Sequence, residues 1–255
     1  MVHWVAVPRF LVVLLLGGCA SAPPPANVRI TPGDPAESAR LHSRPEARFR
    51  PAQPGLFPLG LGSPRDGLLY IPEAAHTRRV PLLVMLHGAG SAAARMWDAI
   101  RTDAEERQVA VLLPESRLWS WDFLHGDFGA DRTFIDEALD ETFRRVPIIP
   151  NRIALGGFSA GATFTLSIGP SNGDLFRWLF AFSPTGMEVA GRVGKPRFMV
   201  VHGTVDSVVP IGQSSRAIVP ALRAGGDWVV YREFPGDHEI FPDAVHEAFS
   251  LLLSD

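Results

Sequence analysis

Apolar residues along this chain fall into two alternating rhythms. Short runs rich in Val, Ile, Leu and Phe, bounded by Gly, Pro and Asp, predict strands at 67–71, 82–86, 109–113, 152–156, 178–182, 197–201 and 228–233. Between them, apolar positions three and four apart predict helices near 93–107, 132–146, 160–168, 212–224 and 242–253. Asp131 and Asp243 stand where helix amino termini favour an acid. The strands are near-continuous apolar runs, the pattern of strands buried on both faces under helices. Together these features predict an α/β fold: a mostly parallel, doubly wound sheet flanked by helices. No insertion is long enough to form a large lid domain, and no internal repeat is visible.

The amino terminus breaks both rhythms. Phe10 to Leu16 is an unbroken apolar run, too short to span a bilayer and right for the core of an export signal, with Arg9 before it. Leu16-Gly17-Gly18-Cys19 resembles the lipobox of bacterial lipoproteins, which implies a signal peptide over 1–18 and a lipid anchor on Cys19 in the bacterial envelope. Cys19 is the chain's one cysteine, so it can form no internal disulfide. A plain secretory signal cut after Ala20 or Ala22, giving a soluble periplasmic or secreted protein, is the alternative. From Cys19 to Pro58 there are nine prolines and little periodicity, which predicts an extended tether over 19–58. Residues 59–255 remain as one domain, long enough for a single buried core.

Charge narrows the function. The net charge is −3 with no basic stripe, which argues against a nucleic-acid partner. No metal-ligand spacing and no G-x-x-x-x-G-K-[ST] loop is present, so no cofactor is expected.

The informative chemistry lies at 152–161, RIALGGFSAG. A strand, then Gly157-Phe158-Ser159-Ala160-Gly161, then a helix is the pattern of a nucleophile elbow. The turn is so sharp that Ser159 is expected at a strained backbone position, with glycines on either side to avoid clashes. A serine hydroxyl needs a base, and the base needs an orienting acid. Asp206 falls in the loop past the strand 197–201, and His238 in the loop past the strand 228–233. The order Ser, Asp, His, with each residue just beyond a strand, places all three on one edge of a parallel sheet. Asp237, beside His238, reads as turn chemistry. His202 is expected to pack beneath the Asp206 loop, and His87 to be structural. Upstream, His87-Gly88-Ala89-Gly90 leaves the end of the strand 82–86. The backbone N–H groups of Ala89 and Ala160 are therefore the candidate oxyanion hole.

Taken together, HGAG, GGFSAG, HGTVDSVVP and the GDHEI histidine resemble the α/β-hydrolase superfamily, nearest the phospholipase/carboxylesterase family and the polyhydroxybutyrate-depolymerase-like esterases. HGT-x-D-x-VVP is similar to the acid-bearing segment of the first group. Ser120-Trp-Asp-Phe123 is similar to a Ser-Trp-Phe-Asp stretch there, with two residues exchanged. Asp131 to Asp136 resembles a helix start in the second group. The resemblance spans about residues 65–252. It implies a serine hydrolase acting on small-molecule or lipid carboxylic esters through an acyl-enzyme on Ser159. Lysophospholipase, thioesterase and peptidase activities remain open on the same scaffold, as does a non-catalytic envelope lipoprotein. Trp119, Trp121 and Phe123 are the candidate pocket walls; packing of this aromatic loop onto the core is the alternative.

Overall fold

A computed structural model of the chain describes residues 27–46, 48, 50–122 and 128–254. Among them the strands are β1 (Val28–Thr31), β2 (Gly55–Pro58), β3 (Gly67–Ile71), β4 (Val80–Leu86), β5 (Ala110–Pro114), β6 (Ile148–Phe158), β7 (Trp178–Phe182), β8 (Met187–Ala190), β9 (Arg197–Gly203) and β10 (Val229–Phe234). The helices are α1 (Ala93–Arg107), α2 (Gly129–Arg145), α3 (Ala160–Ile168), α4 (Ser215–Ala224) and α5 (Pro242–Leu253). Eight strands form one sheet in the order β10-β9-β7-β6-β4-β5-β3-β2. From β10 to β5 neighbours run parallel, and β3 and β2 close one edge antiparallel.

Alternation along β4 shows how the sheet is covered. Successive strand residues point to opposite faces. Leu82, Val84 and Leu86 join one apolar layer, with Phe134 and Leu139 of α2, Phe164 of α3 and Leu222 of α4. Leu83 and Met85 join the other, with Trp97 and Ile100 of α1 and Phe249 of α5. All seven residues of β4, and every residue of β5 and β7, are buried. That is why these strands read as unbroken apolar runs.

The path of the chain fixes where a site can form. From β4 the chain steps to β5 on one side, then returns to β6 on the other. The carboxyl ends of β4 and β6 therefore flank the point where the winding reverses, the crevice in which open α/β sheets hold their ligands.

Residues expected to form a tether belong to the domain from Asn27 onward. β1 pairs in parallel with β8, Val28 opposite Met187. Leu41 is fully buried and donates its N–H to Asn172 Oδ1 at 2.8 Å, while Asn172 Nδ2 donates to the Ala39 carbonyl. Arg40 clamps Asp174 through two 2.9 Å hydrogen bonds. Asp136 accepts the N–H groups of His42 and Ser43. β2 pairs with β3. The buried apolar residues here are single and unevenly spaced, and their partners lie far along the chain. The segment thus carries no periodic signal although it is packed. Cys19 and the segment expected to be an export signal lie outside the described residues.

Candidate active site

Ser159 follows the last residue of β6 and precedes α3, with φ 54° and ψ −117°. A non-glycine residue held at such angles costs on the order of 1–3 kcal/mol, so the surrounding packing must enforce it. The enforcement is visible. Ser159 N–H donates to the Phe182 carbonyl of β7 at 2.9 Å, and the Ser159 carbonyl accepts Thr163 N–H at 3.0 Å. A Cβ on Gly157 would lie 2.3 Å from the Gly161 carbonyl carbon, and one on Gly161 would lie 2.5 Å from the Leu86 carbonyl oxygen. Strand, helix and the neighbouring strand end approach so closely that neither position has room for a side chain. The Ser159 side chain is left half-buried at the amino terminus of α3.

Two strands away, the loop after β9 holds Asp206, whose side chain is fully buried. Its Oδ1 accepts the N–H groups of Val208 (3.0 Å) and Val209 (2.6 Å). Its Oδ2 accepts His238 Nδ1–H at 2.7 Å and lies 3.1 Å from His202 Nε2. Burial pushes this carboxyl up, but the Val209 N–H and His238 outweigh it, so its pKa lies below the ordinary range and it remains a carboxylate. A proton on His238 Nδ1 leaves Nε2 bare, the tautomer a general base requires. Phe158, next to Ser159, packs its ring on His238 with centroids 4.7 Å apart. Among the described residues no hydrogen bond joins the Ser159 hydroxyl to His238; in ligand-free enzymes that contact is often long and tightens on binding.

His202 lies beneath the Asp206 loop, as the sequence suggests, and does more than fill space. Its ring is fully buried. Nε2 donates to the Val209 carbonyl at 2.9 Å, and Nδ1 accepts Ser215 Oγ at 2.7 Å. Burial lowers its pKa, against the raising effects of the Val209 carbonyl and Asp206. A neutral His202 supports the Asp206 carboxylate without competing for its charge. Asp237 accepts Ser207 N–H and Oγ and the N–H of His238, which makes it a turn residue that aims the histidine loop.

The loop after β4 meets Ser159 from the other side. A Cβ on Gly88 would stand 3.4 Å from Ser159 Cβ. Among the described residues, neither Ala89 N–H nor Ala160 N–H donates to another group of the chain. His87 is fully buried and fully used: its Nδ1 donates to the Gly88 carbonyl at 2.7 Å, and its Nε2 accepts Ser116 N–H at 3.0 Å. Burial lowers its pKa, which keeps the ring neutral.

The aromatic loop divides. Trp121 has no exposed surface. Its indole N–H donates to the His87 carbonyl at 2.8 Å, and its ring lies against His87 and Phe164. Trp121 therefore does not wall a pocket; it is a core residue beneath the 87–90 loop, because its one polar atom finds a buried carbonyl. Trp119 is 71% exposed and leans over Gly90, whose N–H donates to its carbonyl. Phe123 lies outside the described residues.

Asp131 plays a part that sequence reading missed. It lies in the first turn of α2, but its carboxylate is fully buried and accepts the N–H groups of Arg117 (2.6 Å) and Asp122 (2.7 Å). Asp122 returns the bond, accepting Asp131 N–H at 2.7 Å. The segment carrying Trp119 and Trp121 is thus pinned to α2 at both ends. Only the helix-start reading was available from Asp131's neighbours in sequence.

No family model matches the chain, and no curated protein matches it. Solved structures do. The S-formylglutathione hydrolase of Staphylococcus aureus superposes with a TM-score of 0.63 at 16% identity, over 80% of this chain and 98% of that one. A phospholipase/carboxylesterase from Dyadobacter fermentans gives 0.57 at 20% identity, over 80% and 99%. A ferulic acid esterase from Anaeromyces mucronatus gives 0.56 at 17%, over 88% and 98%. At these identities the likeness is one of fold, and with the parallel sheet and its crossovers it identifies the α/β-hydrolase fold in this chain.

Proposed function

We propose that the chain is a serine hydrolase that cleaves carboxylic esters. The observation that carries this reading is a coincidence at one sheet edge. A strained serine at the winding reversal shares the carboxyl edge of the sheet with an Asp206–His238 pair, and Phe158 beside it packs on the His238 ring; an ionised Asp206 favours the tautomer that leaves His238 Nε2 bare. Ser159 Oγ attacks the ester carbonyl while His238 Nε2 takes its proton. Asp206 holds the ring and stabilises the imidazolium. The tetrahedral oxyanion is received by the N–H groups of Ala89 and Ala160, at the positive end of α3. His238 then returns the proton to the leaving alcohol. Water attacks the acyl-enzyme by the same route in reverse and frees Ser159. Trp119, exposed beside the 87–90 loop, is the side chain best placed to touch the ester.

The names of the solved structures with this fold support a small-molecule ester or thioester as substrate. The lipobox-like Leu16–Cys19 supports export and lipid attachment through Cys19. Replacing Cys19 with Ser should then shift the mature protein out of the detergent phase, and an unchanged partition would refute the anchor. For the chemistry, Ser159→Ala should reduce hydrolysis of a short p-nitrophenyl ester to the residue left by binding and the oxyanion hole. Equal rates in folded wild type and variant would refute the assignment.

A further inference from the structure

The exposed apolar side chains of this molecule are unevenly placed. Among the described residues, seven large ones are exposed, and four sit on two loops at the carboxyl edge of the sheet: Leu118 (61%), Trp119 (71%), Val205 (68%) and Val208 (67%). Leu118 and Trp119 follow β5. Val205 and Val208 flank Asp206 after β9. In the sheet order, β5 and β9 each lie two strands from β6, on opposite sides of it. At about 4.8 Å per strand, the two pairs stand roughly 20 Å apart, with Ser159 between them. Water-exposed Val, Leu and Trp on loops to either side of Ser159 are costly for a surface that meets only solvent.

A second observation concerns the start of the described chain. Asn27 Nδ2 donates to the Thr185 carbonyl at 2.9 Å and also to the Gln213 carbonyl. Thr185 lies just past the carboxyl end of β7, and Gln213 in the turn that follows the Asp206 loop. β1 then runs parallel to β8, away from that edge. The chain thus enters the domain at the edge where Ser159 opens. Cys19 lies eight residues before Asn27, a reach of under about 30 Å even fully extended. A domain of this length is roughly 45 Å across. An anchor at Cys19 cannot present the opposite edge of the domain to a membrane as easily as this one.

From these two observations we propose that the carboxyl edge is a lipid-docking surface. Leu118, Trp119, Val205 and Val208 enter the interfacial layer of a bilayer, and Ser159 opens toward it. The inference rests on the hydrolase and anchor readings above and deepens them: the substrates are esters with an apolar portion that partitions into the membrane.

The test uses the full chain with Cys19→Ser, so that docking is read without the lipid anchor. A single cysteine is introduced at Val205, or at Arg78, which is exposed just before β4 at the opposite edge. Each is labelled with an environment-sensitive fluorophore and titrated with phosphatidylcholine vesicles carrying a nitroxide quencher. The label at 205 should shift to the blue and be quenched, and the label at 78 should not. Leu118→Ser with Val205→Ser should lower vesicle partitioning about tenfold or more, given the apolar area removed. Hydrolysis of a water-soluble short ester should be unchanged. A label at 205 that stays aqueous, equal immersion at 78, or unaltered partitioning of the double variant would overturn the proposal. So would burial of the 205 label on raising protein concentration without lipid, which would point to self-association. Fluorophosphonate labelling of Ser159 without vesicles reports the hydrolase reading separately.

Discussion

Replacing Asp206 with Asn is the most instructive change, because the structure dictates how the amide must sit. Oδ1 faces two donors, Val208 N–H at 3.0 Å and Val209 N–H at 2.6 Å. An NH₂ group there would set donor against donor, so the amide oxygen takes that place. The NH₂ then faces His238 Nδ1, which now holds a proton 2.7 Å away. To accept from the amide, His238 must move that proton to Nε2, the nitrogen that the proposed mechanism needs bare to take the Ser159 proton. The loss should be in kcat, on the order of 10⁴-fold, or about 5 kcal/mol of transition-state stabilisation. The fold should lose about 1–3 kcal/mol, since His202 Nε2 also loses its anionic neighbour. Asp237→Asn is the control. Its contacts are to Ser207 and the His238 backbone, all on the surface, and it should cost less than about tenfold in kcat. Initial rates on a short ester, with thermal melts to confirm folding, decide the matter. An Asp206→Asn variant within tenfold of wild type, or one less impaired than Asp237→Asn, would refute this account of the acid.

Three further outcomes follow from the packing. Gly161→Ala should lower stability by about 3 kcal/mol or more, because its Cβ would meet the Leu86 and His87 carbonyl oxygens at 2.5 and 2.6 Å; a melt unchanged from wild type would mean the elbow can relax. Asp131 is pushed up to about 6 by burial, so its share of stability is full below about pH 4 and is lost as pH rises through 6. The wild-type melting temperature should fall across that window, by up to about 3 kcal/mol in stability, and Asp131→Asn should flatten the slope at the cost of a lower plateau. Asp174, held down to about 2 chiefly by Arg40, contributes above about pH 4 and loses that contribution as pH falls toward 2. With 35% of its side chain exposed, about 1 kcal/mol is expected, and Arg40→Ala should remove it at pH 7 but not at pH 2, with faster hydrogen exchange in residues 28–44.

What could be read from the sequence was what is local or periodic. β7, α1, α3 and α5 fall on their predicted spans, because each buries a continuous run or a regular stripe. The GGFSAG turn is legible because the requirement at Gly157 is local, set by Gly161 four residues on, although Gly161 itself answers the distant Leu86 and His87 carbonyls. α2 starts at Gly129 rather than 132, and α4 at Ser215 after a short 3-10 turn over Ile211–Gln213, the usual blur of helix ends. β1, β2 and β8 were not foreseen. Each is four residues long, and β1 finds its strand partner in β8, more than 150 residues away in sequence. Trp121 could not be told from Trp119 in sequence. Only the carbonyl of His87, 34 residues back, draws one indole into the core and leaves the other in water. The same holds for Asp131, whose partners lie 9 and 14 residues away in a loop.

The central claim is that Ser159 is a nucleophile activated by His238, and a fluorophosphonate reports that directly, since an unactivated serine does not react. The intact protein should gain one adduct, and mass spectrometry of the digest should place it on the peptide bearing Ser159. Ser159→Ala should take up none, and His238→Ala should react slower by several orders of magnitude. Adduct formation that survives loss of Ser159, or that is indifferent to His238, would contradict the account.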